Sequence, residues 1–174
     1  MDWKWFYTSL DGRIGRKQFW IGAILLGIAG LIVGYIIMAI FGVGMMNFIS
    51  AANSDTSTAD MMALMTRSAW ANLVVYLLML YPAAAMMIKR RHDRGNSGLD
   101  VWIYLGIAVL MILVQALGVG YAVSEVAGIE MVTPSGWMSI IGALVGIFAL
   151  YLLVVCGFLK GNEGDNAYGA DPLA

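Results

Sequence analysis

Lys89-Arg90-Arg91-His92-Asp93-Arg94-Gly95-Asn96-Ser97-Gly98 is the densest charge cluster in a chain of 174 residues, and long uncharged runs lie on both sides of it. The run before it, residues 68–88, has 21 residues, and the run after it, residues 101–124, has 24. A helix needs about 20 apolar residues to cross the hydrocarbon core of a bilayer. The cluster therefore reads as a polar loop, residues 89–100, between two membrane spans. Gly95 is placed to take the left-handed conformation that ends one helix, and Ser97 with Asp100 three positions on has the spacing of a cap for the next.

Two more runs of the same kind extend this reading. Residues 18–54 carry no charge over 37 positions, of which 19–46 are strongly apolar, and residues 137–159 are again uncharged. The first run is much longer than the core of about 7 to 15 residues in a signal peptide, so it reads as an uncleaved span. Only 12% of the residues are charged and 61% are hydrophobic, against about a quarter charged in soluble domains. The expected fold is an all-α membrane protein, one domain of four transmembrane helices at about 19–46, 68–88, 101–124 and 137–159 in a compact bundle.

Smaller signals fill in the elements between. Trp3, Phe6, Tyr7 and Leu10 have helical spacing among basic residues, which predicts a short N-terminal interfacial helix in the headgroup plane. Ser57 and Asp60 are spaced as a capping box within a polar connection, residues 47–66, and Pro82 should kink the second span one turn from its charged end. Gly30 with Gly34, and Gly142 with Gly146, repeat a four-residue spacing that lets transmembrane helices approach closely, so these four are the expected helix-packing positions. Residues 125–133 read as a brief acidic turn. The tail, residues 160–174, is rich in turn formers and by composition alone would be a loose end.

Orientation follows from the cations. Four spans place the N-terminal segment 1–18, the loop 89–100 and the tail on one side, with four, four and one Lys or Arg, nine in all, against Arg67 alone on the other. Positive charge marks cytoplasmic loops, so both termini should be cytoplasmic, and Asp55, Asp60, Glu125 and Glu130 should face outward.

Three ordered motifs carry a resemblance. Gly12-Arg13-Ile14-Gly15-Arg16-Lys17-Gln18-Phe19-Trp20, His92-Asp93-Arg94-Gly95-Asn96-Ser97-Gly98 and Asn166-Ala167-Tyr168-Gly169-Ala170-Asp171-Pro172 together resemble the YhaH-like bacterial inner-membrane proteins, domain of unknown function 805. The resemblance covers essentially the whole chain and implies a four-helix inner-membrane protein without implying an activity. Two positions depart from the family pattern: Arg91 stands where Leu is usual, and Leu99 where Trp follows Ser-Gly, with Trp102 one turn later.

The motifs converge on one membrane face, and Arg13, Arg16, Arg90, His92, Asp93, Ser97, Asn166, Tyr168 and Asp171 form the candidate polar cap. Within it, Arg13, Arg16, Asp93 and the tail from Asn166 to Asp171 are expected to form one network, with the tail folded back on the loop. No metal or other cofactor is expected, because a metal site needs three or four convergent ligands and this chain has one His and one Cys. His92 suits a backbone carbonyl at a helix end, and Cys156 suits a buried apolar position. Ion-coupled transport is disfavoured because the spans hold no ionisable Asp, Glu, Lys, Arg or His. Asn72 and Gln115 are the amides in the spans, and interhelical hydrogen bonding is their expected use. The leading expectation is a binding, scaffold or regulatory protein acting through the cap on membrane lipids, on their anionic headgroups or on a protein partner, with no nucleic acid involved. A small-solute transporter or channel is the alternative, and an enzyme acting on a lipid-borne substrate comes third.

Overall fold

The structure, a computed structural model, describes residues 2–53, 57–126 and 129–173. Four helices are long and apolar enough to cross a membrane: Arg16–Ile40, Thr58–His92, Leu99–Ala116 and Gly136–Phe158. By the length and composition of these helices the chain is a membrane protein. In chain order the elements are α1 (Trp3–Thr8), α2 (Arg16–Ile40), α3 (Met45–Asn53), α4 (Thr58–His92), α5 (Leu99–Ala116), β1 (Tyr121–Val126), β2 (Ile129–Pro134) and α6 (Gly136–Leu153), which passes into a π-helical turn, Val154–Phe158.

The boundaries differ from the expected spans for identifiable reasons. The first span begins earlier, at Arg16, because Gly15 is extended and its N–H is taken by the Gln18 side chain at 2.9 Å. It stops at Ile40, where Gly42 turns the chain at φ +64°, and α3 follows in what reads from sequence as continued span and polar connection. Asp55, assigned to the outward loop, lies outside the described residues. The Ser57 hydroxyl caps α4, accepting from Asp60 N at 3.2 Å. With 35 residues and about 1.5 Å of rise each, α4 is about 52 Å long and overshoots a core of about 30 Å. Its overshoot at one end is the charge cluster itself. Lys89, Arg90, Arg91 and His92 form its last turn and are not loop, and α4 stays one helix through Pro82.

The fold is also not purely helical. Gly118 and Gly120 take positive φ and end the third span, and Tyr121–Val126 then pairs antiparallel with Ile129–Pro134, Glu125 opposite Glu130. Val123, Val132 and Thr133 suit a pleated ribbon as readily as an apolar helix, so the expected end of the span at 124 and the acidic turn are both replaced by a hairpin.

α4 is the element on which the others pack, with α2, α5, α1, β2 and the π turn all against it, while α6 lies along α5. Both buried clusters gather toward the charged end. One joins Phe6, Ile14, Phe19, Met86 and Cys156, and the other Ala84, Ile88, Val101, Leu105 and Leu152. Phe6 is fully buried, so α1 is docked on the protein by that side chain. Its seat is Gly22, where a Cβ would stand 2.3 Å from the Phe6 ring.

The expected packing glycines do not carry the close approaches. A Cβ on Gly34 or Gly146 would meet nothing within 4 Å, and on Gly30 or Gly142 it would only touch Met79 at 3.9 Å or Met111 at 4.0 Å. Close contact falls instead on Gly22, on Gly157 against Trp20 (2.7 Å) and on Gly161 against the Asp93 carboxylate (1.9 Å). A four-residue glycine spacing arises easily in a chain with 21 glycines, and here Gly30 and Gly142 face a neighbouring helix at ordinary contact distance while Gly34 and Gly146 do not.

Candidate functional site

Asp93 caps the C-terminus of α4 and is nearly inaccessible, at 3% exposure. A buried carboxylate requires donors on both oxygens. Its Oδ1 accepts from Arg13 Nε at 3.2 Å and Nη2 at 3.1 Å, and its Oδ2 pairs with Arg90 Nη1. Arg13 spends its remaining donors on the tail: Nη1 donates to the carbonyls of Gly164 (2.7 Å) and Gly169 (3.1 Å), and Nη2 to that of Asn162 (2.8 Å). Asn162 N in turn donates to the Asp93 carbonyl at 2.8 Å. One ion pair thus ties the N-terminal segment, the end of α4 and the tail together.

The tail is folded around this pair. The Asn166 amide donates to the His92 carbonyl at 3.0 Å, and the Tyr168 ring stacks on the His92 ring with centroids 4.0 Å apart and planes 7° off parallel. His92 Nδ1 lies 3.2 Å from the Gly12 carbonyl, so the nitrogen facing that acceptor carries a proton. Asp171 Oδ2 accepts from Gly164 N at 2.8 Å and Oδ1 from Leu173 N at 2.9 Å. The Leu173 and Gly164 amides hold this carboxyl below its ordinary range by favouring its charged form.

Further cations serve helix ends. Lys89 is fully buried and makes no ion pair among the described residues. Its Nζ donates to the carbonyls of Trp5 (2.8 Å), Phe6 (2.6 Å) and Ser9 (2.9 Å) and lies 4.3 Å from the Trp5 ring centroid. An ammonium at the C-terminal carbonyls of α1 fills acceptors that the helix itself leaves open. The π turn is treated likewise. Arg94 Nη1 donates to Val155 O at 3.3 Å, Arg90 Nε to Cys156 O at 2.8 Å, Trp20 Nε1 to Gly157 O at 3.0 Å and Arg16 Nη1 to Phe158 O at 3.3 Å. Arg90 Nη2 closes the series on Leu159 O. Five consecutive carbonyls each receive a side chain from elsewhere in the chain.

The structure therefore brings together Arg13, Arg90, His92, Asp93, Asn166, Tyr168 and Asp171, with the Ser97 backbone at the His92 ring, and places Arg16 elsewhere. Arg16 is exposed and bonds the π turn instead of Asp93. Ser97 does not cap α5. Gly98 holds the N-cap position at φ +75°, with its N–H taken by Asn96 Oδ1 at 2.9 Å, because Asp100 is drawn into a pair with Arg91 at 2.8 Å that the Tyr151 hydroxyl also joins. Arg91 thereby fastens the end of α4 to α5 and α6. Sequence reasoning did not assign Lys89, Trp20, Arg94, Gly161 or Asn162 to the cap. Their partners are backbone carbonyls or a Cβ-sized gap, which leave no residue-type signature.

Around this saturated interior, Trp3, Lys4 and Lys17 are exposed. Among the described residues no group of three His, Cys, Asp or Glu is placed to hold a metal ion.

The comparisons with known proteins agree on the extent of the likeness. The model of the family described as Protein of unknown function (DUF805) matches residues 7–170. The uncharacterized protein YiiR of Escherichia coli strain K12, and that of E. coli O157:H7, are each 29% identical to the chain over 169 residues, which is 97% of this chain and 88% of the relative. No solved structure matches. The matched span runs from α1 through Arg13 and Asp93 to the tail that encloses them, and the chain belongs to the DUF805 family of proteins of unknown function.

Proposed function

We propose that this chain is a bacterial inner-membrane protein, a bundle of four transmembrane helices with both termini in the cytoplasm, and that its charged face binds the anionic headgroups of the adjoining leaflet. In this reading it acts as a scaffold or regulator that presents the folded tail to a protein partner, and is not an enzyme. The observation that carries it is the division of the cations. Arg13, Lys89 and Arg90 are buried and used up on Asp93 and on backbone carbonyls. Lys4 and Lys17 make no ion pair among the described residues and stand exposed, Lys4 next to Trp3 in the first turn of α1 and Lys17 in the first turn of α2. Exposed cations with an aromatic neighbour at an interface suit anionic headgroups, each Lys contributing about 1 kcal/mol near such a surface. The nine-to-one distribution of Lys and Arg supports the cytoplasmic orientation.

The test has two arms. A C-terminal reporter that is active only in the cytoplasm should be active, and one that works only after export should be silent; the reverse result overturns the orientation. Native mass spectrometry of the full chain from nanodiscs containing phosphatidylglycerol should show retained anionic lipid, lost in Lys4→Gln/Lys17→Gln and at high salt. Equal retention of phosphatidylcholine and phosphatidylglycerol would refute headgroup binding.

A further inference from the structure

Away from the charged face, a pocket of about 280 Å³ lies between α4 and α5, lined by Asn72, Tyr76 and Gln115 with Ala69, Met79 and Ile112 among the apolar wall. We propose that it binds the uncharged, hydrogen-bonding head of a membrane amphiphile of the diacylglycerol class, one hydroxyl beside ester carbonyls, with the acyl chains left in the bilayer. The site is separate from the anionic-headgroup reading and stands or falls independently of it.

Position comes first. Asn72 precedes Lys89 by 17 residues on α4, and Gln115 follows Leu99 by 16 on α5. At 1.5 Å per residue both amides lie about 25 Å from the charged ends. In a core of about 30 Å that is the far boundary, the depth of lipid ester groups in the opposite leaflet.

The second observation is unmet hydrogen-bonding capacity. Sequence reasoning expects both amides to bridge helices; Gln115 does so only weakly, from α5 to α6, and Asn72 does not among the described residues. The Asn72 side chain is exposed and has no partner among the described residues, while Gln115 Nε2 reaches only the Met138 sulfur at 4.0 Å, a weak acceptor. Among the described residues the buried Tyr76 hydroxyl has no hydrogen-bond partner. Polar groups left unpaired in hydrocarbon are costly, and a ligand carrying both carbonyl and hydroxyl oxygens answers amides, which donate and accept.

Lining and size limit the ligand. No charged residue lines the pocket, and a phosphate at this depth would lack a counter-charge. The volume lies just below the range of about 300 to 1,000 Å³ for ligand sites, enough for a lipid head and too small for its chains.

The test uses the full chain in phosphatidylcholine nanodiscs with two probes, a diacylglycerol and a phosphatidylcholine that carry a photoactivatable group at the same acyl carbon. Diacylglycerol labelling should map to residues 69–79 and 112–115, exceed that by the phosphatidylcholine probe at least fivefold, and fall at least fivefold in Asn72→Leu and in Gln115→Leu. Equal labelling by the two probes, or labelling unchanged in both variants, would reduce the pocket to annular lipid contact. A change of oligomeric state in Asn72→Leu would assign the amide to a second copy of the chain and also overturn the proposal. Thermal unfolding of the unsubstituted protein needs no variant: its midpoint should rise with the mole fraction of diacylglycerol, and a constant midpoint counts against the site.

Discussion

Arg13 and Asp93 stand 80 residues apart in the chain and 3.1 Å apart in the structure, with side chains 1% and 5% exposed. Arg13 also holds three tail carbonyls, so this pair decides whether the tail is bound. Breaking a buried pair by removing one partner costs about 3 to 5 kcal/mol, because the other charge is left uncompensated. Asp93→Asn should lower thermal stability by that order and speed protease cleavage after Lys160. Arg13→Ala should do the same, and the double variant should be no worse than either alone. Arg16→Ala, which removes a bond to Phe158 only, should leave tail cleavage at the unsubstituted rate. Full additivity of Asp93→Asn and Arg13→Ala would dissociate the pair.

Lys89→Met should release α1. The substitution keeps the length of the side chain and strips a donor from three carbonyls, of which Trp5 O keeps the Ser9 N–H, and each buried acceptor left unpaired costs about 1 to 3 kcal/mol unless water reaches it. Solvation of α1 is the relief open to it, so Trp3 and Trp5 should become accessible to an aqueous fluorescence quencher. Unchanged quenching would mean that Phe6 in its Gly22 seat is enough to hold the helix.

Glycine substitutions should sort by contact and not by spacing. Gly157→Val and Gly161→Ala place atoms where the Trp20 ring and the Asp93 carboxylate already stand, and each should cost about 1 to 3 kcal/mol, as overpacking typically does. Gly34→Leu and Gly146→Leu meet open space and should leave thermal stability in detergent within about 0.5 kcal/mol of the parent. Loss of stability in the second pair would show that these faces are covered in the assembled protein.

The end of the tail should loosen in acid. The Leu173 and Gly164 amides hold the Asp171 carboxyl below its ordinary range, so their stabilisation is complete above the unfolded value of about 4 and disappears as pH falls through the lower folded value. Hydrogen exchange at Gly164 and Leu173, corrected for intrinsic rates, should show less protection at pH 3 than at pH 5. Asp171→Asn should show the reduced protection at both, and protection independent of pH in the parent would discount the carboxylate.

What could be read from the sequence tracks side-chain chemistry. Uncharged runs located the four spans, and opposite charges in motifs at residues 12–20, 92–98 and 166–172 brought Arg13, Asp93 and Asn166 to one region, because spans of known length fix which segments share a face. The ends of the elements were harder. Lys89 to His92 looked like loop because cations usually mark one, yet an exit turn that offers donors to foreign carbonyls can remain helical. The hairpin at Tyr121–Val126 was hidden inside an apolar run, where Val serves strand and helix alike. Carbonyl acceptors such as Cys156 O and Phe158 O belong to every residue, and no pattern of residue types could have pointed to them.

The π turn also imposes an order of events. Arg90 finds two of its carbonyl acceptors 66 and 69 residues further along, and Arg13 finds its tail acceptors 149 to 156 residues further along. While the chain is still emerging from the ribosome those acceptors do not exist, and of the partners these two guanidiniums have in the finished structure only Asp93 is made early, three residues after Arg90. Their hydrogen bonding is completed only when the last helix and tail arrive. A chain halted before Val155 would therefore hold the ion pairs of Asp93 without the carbonyls that enclose them.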